Sequence, residues 1–546
     1  MMAKAKKKYS ESRRSERIGM MIFASLFFAF GAWIVVVKVL HGIPEIEKKG
    51  AYLWYVFQQT YQLNDIRLLF PLIIPPIIVF TIGYFMKAFR PDIYTGEKYK
   101  KHLRGTQIVS PETLINVTRE SAKSDKQLTV AGIPIPRKVE ALHILMNGST
   151  GTGKSVSIKE MMYCIKERQE LYKKLSAKGD KKQLDRVIAI DPNGDLYSLF
   201  ADPKKDILLN PFDDRTKGWN LFNEIKNEAD YNRFSFSIVP RSEGESEKWN
   251  SYARLLLKEC MKYVKNNNER PSMKDVQYMA TVLEEDKLKE LLSGTDAEAM
   301  FVKGADKALG SARFTLSDRL PAFNLMPDGD FSILDALSDE SEIGNIYITW
   351  KEDQKDALKP LITTFADIFI SGILSLPPSK TRSLFVSLDE LSSMDAISSL
   401  RDGLEKGRKH GLKVIAGLQT VKQLTQIYGE TEAIILMSCF RNLFVLGGSS
   451  TDHETANYMS SALGEMEVLR DQVTSSSGQS SSRSRQVIKA TEHVVLASEI
   501  MNLPDLNIYI NFAGDYPITR TKLIPKDYPE INKQYVPLQN FEKDFA

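Results

Sequence analysis

The string Gly148-Ser149-Thr150-Gly151-Thr152-Gly153-Lys154-Ser155 constrains this chain more than any other feature. It satisfies G-x-x-x-x-G-K-[ST] at every position. Glycines at this spacing let backbone N–H groups turn inward around phosphate oxygens, and a following helix adds its positive N-terminal end. The context fits. Residues 141–147 (ALHILMN) are a short apolar run that predicts a buried strand. From Ser155 onward Ile158, Met161, Met162 and Ile165 recur at helical spacing. The pattern predicts a phosphate-binding loop for ATP, with Lys154 reaching the β- and γ-phosphates and Ser155 ligating Mg²⁺.

Such a loop needs acids on a neighbouring strand. Residues 384–390 (LFVSLDE) are an apolar strand ending in two. Asp389 is expected to hold the Mg²⁺ shell, and Glu390 to orient or activate the attacking water. A second strand ends in an acid at Asp191, followed by the turn residues Pro192 and Gly194. Asp191 is read as a strand-end residue near the site, and Asp389 keeps the metal role. Residues 411–418 predict a further strand ending in Gln419, either a γ-phosphate sensor or a turn cap. Residues 442–447 predict another, and 451–463 a helix. Arg441 and Arg408 are candidates for an arginine finger acting on a neighbouring subunit's ATP, with a surface role as the alternative for each. The alternation is β-α-β around a parallel sheet, with ATP at the strand carboxyl ends. The string Leu292-Ser293-Gly294 lies far from Asp389 and does not continue as an ABC signature.

Two uncharged stretches precede this core, residues 18–37 and 68–86. At ~1.5 Å per residue each is long enough for a hydrocarbon core of about 30 Å. The second contains Pro71, Pro75 and Pro76, which predicts a kink or a late start. A cleaved signal peptide is disfavoured for the first, because no A-x-A-like site follows it. Lys4, Lys6, Lys7, Lys8, Arg13, Arg14 and Arg17 precede the first run; Lys87, Arg90, Lys98, Lys100, Lys101 and Arg104 follow the second. The segment between, residues 38–67, carries four basic residues. The positive-inside rule therefore places both termini and the bulk of the chain in the cytoplasm, with a short outer loop. That loop reads as either a partner-contact hairpin or a plain connector. Trp33, Trp54, Tyr55 and Tyr84 are candidate interfacial anchors.

The chain has 546 residues and a net charge of +4, from 73 basic and 69 acidic side chains. That balance does not by itself argue for nucleic-acid binding. Cys164, Cys260 and Cys439 are far apart and form no CxxC pair, so neither a zinc site nor a disulfide framework is indicated. Between about 219 and 326 the apolar spacing becomes helical and predicts an inserted all-α domain. The Ser-rich stretch 474–484 predicts a flexible loop, in which Arg483, Arg485 and nearby Lys489 could brush phosphates. A last strand is expected at 506–512 and a poorly structured tail from 525. The expected organisation is thus 1–90, membrane hairpin; 91–215, first nucleotide-binding part; 216–335, helical insertion; 336–525, second nucleotide-binding part; 526–546, tail.

An ordered series of strings resembles the TraD and TrwB coupling proteins of type IV secretion systems. After the two spans and the phosphate loop come Asp191-Pro192-Asn193-Gly194-Asp195, Leu209-Asn210-Pro211-Phe212-Asp213 and Trp219-Asn220-Leu221-Phe222. Glu247-Lys248-Trp249 falls in the helical insertion. Leu388-Asp389-Glu390-Leu391, Gly407-Arg408-Lys409-His410-Gly411-Leu412, Gly417-Leu418-Gln419-Thr420 and Asp452-His453-Glu454-Thr455-Ala456 complete the series. The resemblance implies a RecA-like P-loop NTPase core and a homo-hexameric ATPase at the inner membrane. It further implies a relaxase bound to single-stranded DNA as substrate, passed to channel proteins. Family members often carry a long C-terminal substrate-selecting extension; the thirty or so residues after the expected last strand leave it short or absent. Two other readings are a membrane-docked receptor using ATP only as an assembly switch, and an FtsK-type translocase, which has four spans rather than two.

Overall fold

The computed structural model describes residues 2–41, 54, 56–58, 60–62, 66–85, 101–120, 126–176, 185–339, 344–476 and 482–538. It divides into two units, residues 1–100 with 470–485, and residues 101–469 with 486–546.

In the first unit a helix runs Met2–His41, and a second, Phe70–Phe85, follows a 3-10 turn at Ile66–Leu68. The late start falls where Pro71 can sit in a first turn, which needs no N–H there; Pro75 and Pro76 lie inside the helix. Ile18–Leu40 and Ile66–Tyr84 are long and apolar enough to cross a membrane, and most of their large side chains are exposed, Trp33, Val37 and Leu68 being buried.

The strands of the chain are β1 (Lys101–Gly105), β2 (Ile108–Val109), β3 (Thr129–Val130), β4 (Ile133–Pro134), β5 (Ile144–Asn147), β6 (Arg186–Pro192), β7 (Ile207–Leu209), β8 (Ile346–Trp350), β9 (Leu384–Leu388), β10 (Leu412–Leu418), β11 (Asn442–Val445), β12 (Glu465–Ser476), β13 (Ser482–His493), β14 (Asn507–Asn511) and β15 (Ile518–Lys522). Ten of them form one sheet in the order β2-β15-β14-β11-β5-β10-β9-β6-β8-β7. From β11 to β7 every pairing is parallel, whereas β14 is antiparallel to both β11 and β15. The sheet is therefore parallel through its centre, as expected, and mixed at one side.

Both faces of the parallel part are covered, so its strands read as unbroken apolar runs. Ile144 and Met146 face a core with Ile158, Met161 and Ile165 of the helix Lys154–Ser176. Leu145, Ile188 and Ile190 face the opposite core, shared with the helix Lys355–Ser375 and the insertion. That helix is also apolar enough to span a bilayer, but 83% of its most apolar stretch is buried in protein, which makes it a core element.

The insertion is helical as expected, from Leu221–Glu224 to Ile333–Ser338, a few residues past the predicted end. Its entry and exit touch. Trp219 N donates to Pro327 O at 2.9 Å, and Trp219 bridges to Phe331. A Cβ on Gly218 would stand 2.6 Å from Asp328 O, and one on Gly329 would stand 2.6 Å from Gly218 backbone, so the crossing requires glycine on both sides. Indole Nε1 of Trp219 donates to Glu224, whose carboxylate also accepts the backbone N–H groups of Ile333 and Leu334.

Three expectations need correction. The Ser-rich stretch is flanked by strands: β12 and β13 reach Ser476 and Ser482, β12 pairs with β1, and only 477–481 lie outside the described residues. The strand at Asn507–Asn511 is followed by another, β15. The tail is also ordered to residue 538. Ile531 N and Asn532 N donate to Ser198 O, Val536 N donates to Asp213, and Tyr528 packs on Tyr163 and Phe200. Backbone hydrogen bonds hold it, and these leave no mark in side-chain periodicity.

Candidate active site

Where β5 ends, the loop begins, suspended between two neighbours. Gly148 N donates to Leu418 O at 3.1 Å, and Ser149 N to Gly447 O at 2.9 Å. Buried Asn147 donates through Nδ2 to the carbonyls of Leu418 and Gln419. Gly151 and Gly153 take φ of 80° and 120°, a region a side chain would strain. Behind the loop Leu506 N donates to Thr152 O, and Leu523 lies against Gly153. The helix starts at Lys154, so its first N–H groups have no intrahelical partner and face the loop's open side.

Lys154 is buried, and its ammonium donates to Gly148 O and, at 3.4 Å, to Ser149 O. Burial pulls its pKa down; the charges of Glu390 and Asp389 oppose that. Ser155, next in the helix, is exposed. Thr152 Oγ1 donates to Ser149 O at 2.7 Å and tightens the turn. Thr150 is exposed at its tip.

Asp389 and Glu390 follow β9, one strand beyond β10. Burial pushes the Asp389 carboxyl up, against the pull of Lys154. Glu390 is clamped from both sides: Gln419 Nε2 donates to its Oε2 at 2.8 Å, and Ser392 Oγ to its Oε1 at 2.5 Å. Thr420 caps the helix Val421–Tyr428. The Gln419 side chain is thus spent on the acid, not on a turn. The geometry unites residues 148–155, Asp389, Glu390 and Gln419 at one edge of the sheet.

Asp191 ends β6 on the same edge but points into its own turn. Its Oδ2 accepts Tyr197 N at 2.8 Å, and complete burial pushes its pKa up to about 7. Arg441 and Arg408 are not brought to this edge. Arg441 precedes β11 and is held by its N–H to Leu142 O, in a cavity of about 770 Å³ beside Gln107, Glu465 and Asp515. Arg408 precedes β10 in a crevice of about 1010 Å³ with Lys138, Lys380 and Lys409. Both stand at the amino ends of their strands.

That amino edge carries a buried ionic cluster which sequence reasoning did not anticipate. Glu140 meets Arg168 at 3.0 Å, Lys413 at 2.8 Å and Arg137 at 3.3 Å, and Arg168 also holds Asp185. Beside it His143, φ 55°, accepts Val414 N at Nδ1, so its Nε2–H donates to Leu404 O; burial pulls its pKa down to about 4. Asn147 and Ser392 were missed as well. A polar residue closing an apolar strand was the available signal for Asn147.

Residues 127–524 match the family model described as "Type IV secretion-system coupling protein DNA-binding domain". A solved structure, the bacterial conjugative coupling protein TrwBdeltaN70, is 45% identical with a TM-score of 0.73, covering 81% of this chain and 98% of that one. TrwB in complex with ADP and Mg²⁺ is similar to the same degree, 45% identical with a TM-score of 0.71 over 81% of this chain and 99% of that one. Coupling protein TraD of Escherichia coli (strain K12) is 25% identical over 439 residues, 78% of this chain; the chain spans 59% of the length of that relative. With the phosphate loop, its paired acids and the helical insertion in place, these matches establish that the chain belongs to the type IV secretion-system coupling proteins.

Proposed function

We propose that this chain is an inner-membrane, ATP-hydrolysing motor. It would draw single-stranded DNA carrying a bound relaxase into the channel proteins of a type IV secretion system, working as a homo-hexameric ring. Two spans would anchor it, with both termini and the ATPase domain cytoplasmic. The observation that carries the reading is Glu390 clamped between Gln419 and Ser392 beside Lys154. A binding module has no need of a carboxylate held in a fixed orientation at the phosphate edge.

ATP and Mg²⁺ fit the residues present. Gly151 and Gly153 free the loop amides, and the N-terminus of the helix Lys154–Ser176 faces an anion. Mg²⁺ would be held by Ser155 and Asp389, and it supplies charge neutralisation between the phosphates. Lys154, already stripped of water, gains more from a phosphate oxygen than an exposed lysine would. Glu390 accepts the proton of the attacking water, and Gln419 keeps its carboxylate turned toward that water. An arginine from a neighbouring copy, Arg441 or Arg408, completes the charge at the leaving phosphate. Both lie at the amino edge, so either would act across a subunit boundary. The TrwB complexes with ADP and Mg²⁺ and with a non-hydrolysable ATP analogue support the nucleotide reading.

ATP hydrolysis by the full chain in detergent, with and without single-stranded DNA over a range of protein concentrations, tests this. Turnover rising with DNA, and steeply with concentration, is expected. Binding of ATP without hydrolysis by confirmed oligomers would favour a membrane-docked receptor that uses nucleotide as an assembly switch.

A further inference from the structure

The described residues between the two spans, 54, 56–58 and 60–62, are not arranged like a free loop. Residues 50–64 carry no charged side chain and include Tyr52, Trp54, Tyr55, Phe57 and Tyr61. Residues 54, 56–58, 60 and 61 are helical, and Gln62 N donates to Gln58 O. Val56 and Thr60, four apart, are buried at 1% and 5% exposure. Val56 packs with Trp33, Val37 and Leu68, while Trp33 Nε1 donates to Thr60 Oγ1 at 3.2 Å and Thr60 Oγ1 donates to Val56 O at 2.9 Å. The other face holds Trp54, Phe57 and Tyr61 at i, i+3 and i+7, exposed at 63%, 51% and 83%. Trp54 and Phe57 stack with their ring centroids 5.7 Å apart.

The attachment point sets the depth. If the hydrocarbon core begins at Ile18, about 30 Å of helix ends near Val37. Trp33 then lies about 6 Å inside the outer boundary, and Thr60 is bonded to it there. An uncharged, aromatic segment tethered at that level, too short to span, has the form of an interfacial helix. The exposed apolar surface of the spans continues into it through Val39, Ile66 and Phe70.

We infer that this segment lies in the headgroup–acyl boundary of the outer leaflet, with Trp54, Phe57 and Tyr61 immersed in lipid and the Trp33–Thr60 hydrogen bond fixing its depth. The inference rests on the hairpin spanning the membrane. Aromatic rings favour that layer, so the helix would brace the hairpin against sliding along the membrane normal.

The test uses the full chain in phosphatidylcholine–phosphatidylglycerol vesicles, with an environment-sensitive fluorophore on Phe57→Cys or Tyr61→Cys. The signal of the chain without the added cysteine is subtracted. Blue-shifted emission, quenched by headgroup or upper-chain nitroxide lipids and shielded from aqueous iodide, is expected at both positions. Adding Thr60→Val should alter the balance of quenching between headgroup and upper-chain nitroxides while iodide stays excluded; an unchanged balance would overturn the role of the Trp33–Thr60 bond. A label on Phe28→Cys in the first span reports insertion separately, through quenching by deep nitroxides. Inserted spans with position 57 or 61 open to iodide would overturn the inference and mark the aromatic face as a protein-docking surface in water. Failure at position 28 would overturn the hairpin reading, and this inference with it.

Discussion

The two edges of the central sheet solve the problem of buried charge in opposite ways. At the amino edge Arg168 is wholly enclosed and has its carboxylates, Glu140 and Asp185, on either side. At the carboxyl edge Lys154 is nearly as buried, yet its ammonium rests on the carbonyls of Gly148 and Ser149, with Asp389 and Glu390 acting only through their field. A charge matched by fixed counter-charges contributes to one structure and has little left for a ligand. A charge held by carbonyl dipoles keeps attraction in reserve. The difference separates scaffold from chemistry within one set of strands.

Breaking each edge should therefore damage different properties. Lys154→Ala is expected to lower ATP turnover by about a thousandfold while leaving the thermal midpoint almost unchanged; a large fall in melting temperature would mean that Lys154 also supports the fold. Arg168→Ala should do the reverse. It removes the guanidinium shared by Asp185 and Glu140, leaving Glu140 to Lys413 and Arg137, at a cost of about 3–5 kcal/mol in unfolding free energy, while turnover per folded site is kept. Equal loss of stability and turnover would erase the distinction between the edges.

A pH series sharpens it. Asp191, at about 7 against an ordinary 3.8, stays protonated in the fold while the unfolded chain ionises. Its contribution is whole below about pH 4 and is lost as pH rises towards 7. His143, at about 4 against 6.5, runs the other way: its contribution is whole above 6.5 and is lost as pH falls to 4. Asp191→Asn, which keeps an acceptor for Tyr197 N, should raise stability at neutral pH by a few kcal/mol, order of magnitude, and steepen the remaining loss towards acid. Urea midpoints from pH 4 to 8 measure this; parallel curves for variant and parent would refute the assignment. The smallest effect belongs to Gln419→Ala, about tenfold in kcat with KM little changed, since Glu390 would keep Ser392. An unchanged kcat would leave Gln419 with no positioning role.

The same contrast explains what could be read in advance. The carboxyl edge is written in contiguous strings, because a loop that wraps phosphate is built from neighbours in sequence; residues 148–155, Asp389, Glu390 and Gln419 were all legible. The amino edge is assembled from Glu140, Arg168, Asp185 and Lys413, which stand on separate elements and form no local pattern. Strand β1 escaped notice for a related reason. Its residues are mostly exposed, so it lacks apolar alternation, and its partner β12 lies more than three hundred residues away. The ordered tail hangs on backbone bonds to Ser198 and Asp213, which composition does not encode.

The touching ends of the helical insertion have a consequence for how such a chain can change. Because Gly218 and Gly329 meet, the sheet on either side is indifferent to how much polypeptide is spliced between them. Yet Trp219 meets Phe365 of the core helix Lys355–Ser375 edge to face with centroids 4.8 Å apart, and the insertion shares that helix's apolar face. The domain is a detachable cartridge by its stem and a fitted part by its base. Exchange between lineages would succeed for any replacement bringing a matching apolar base, whatever surface it offers at the far end.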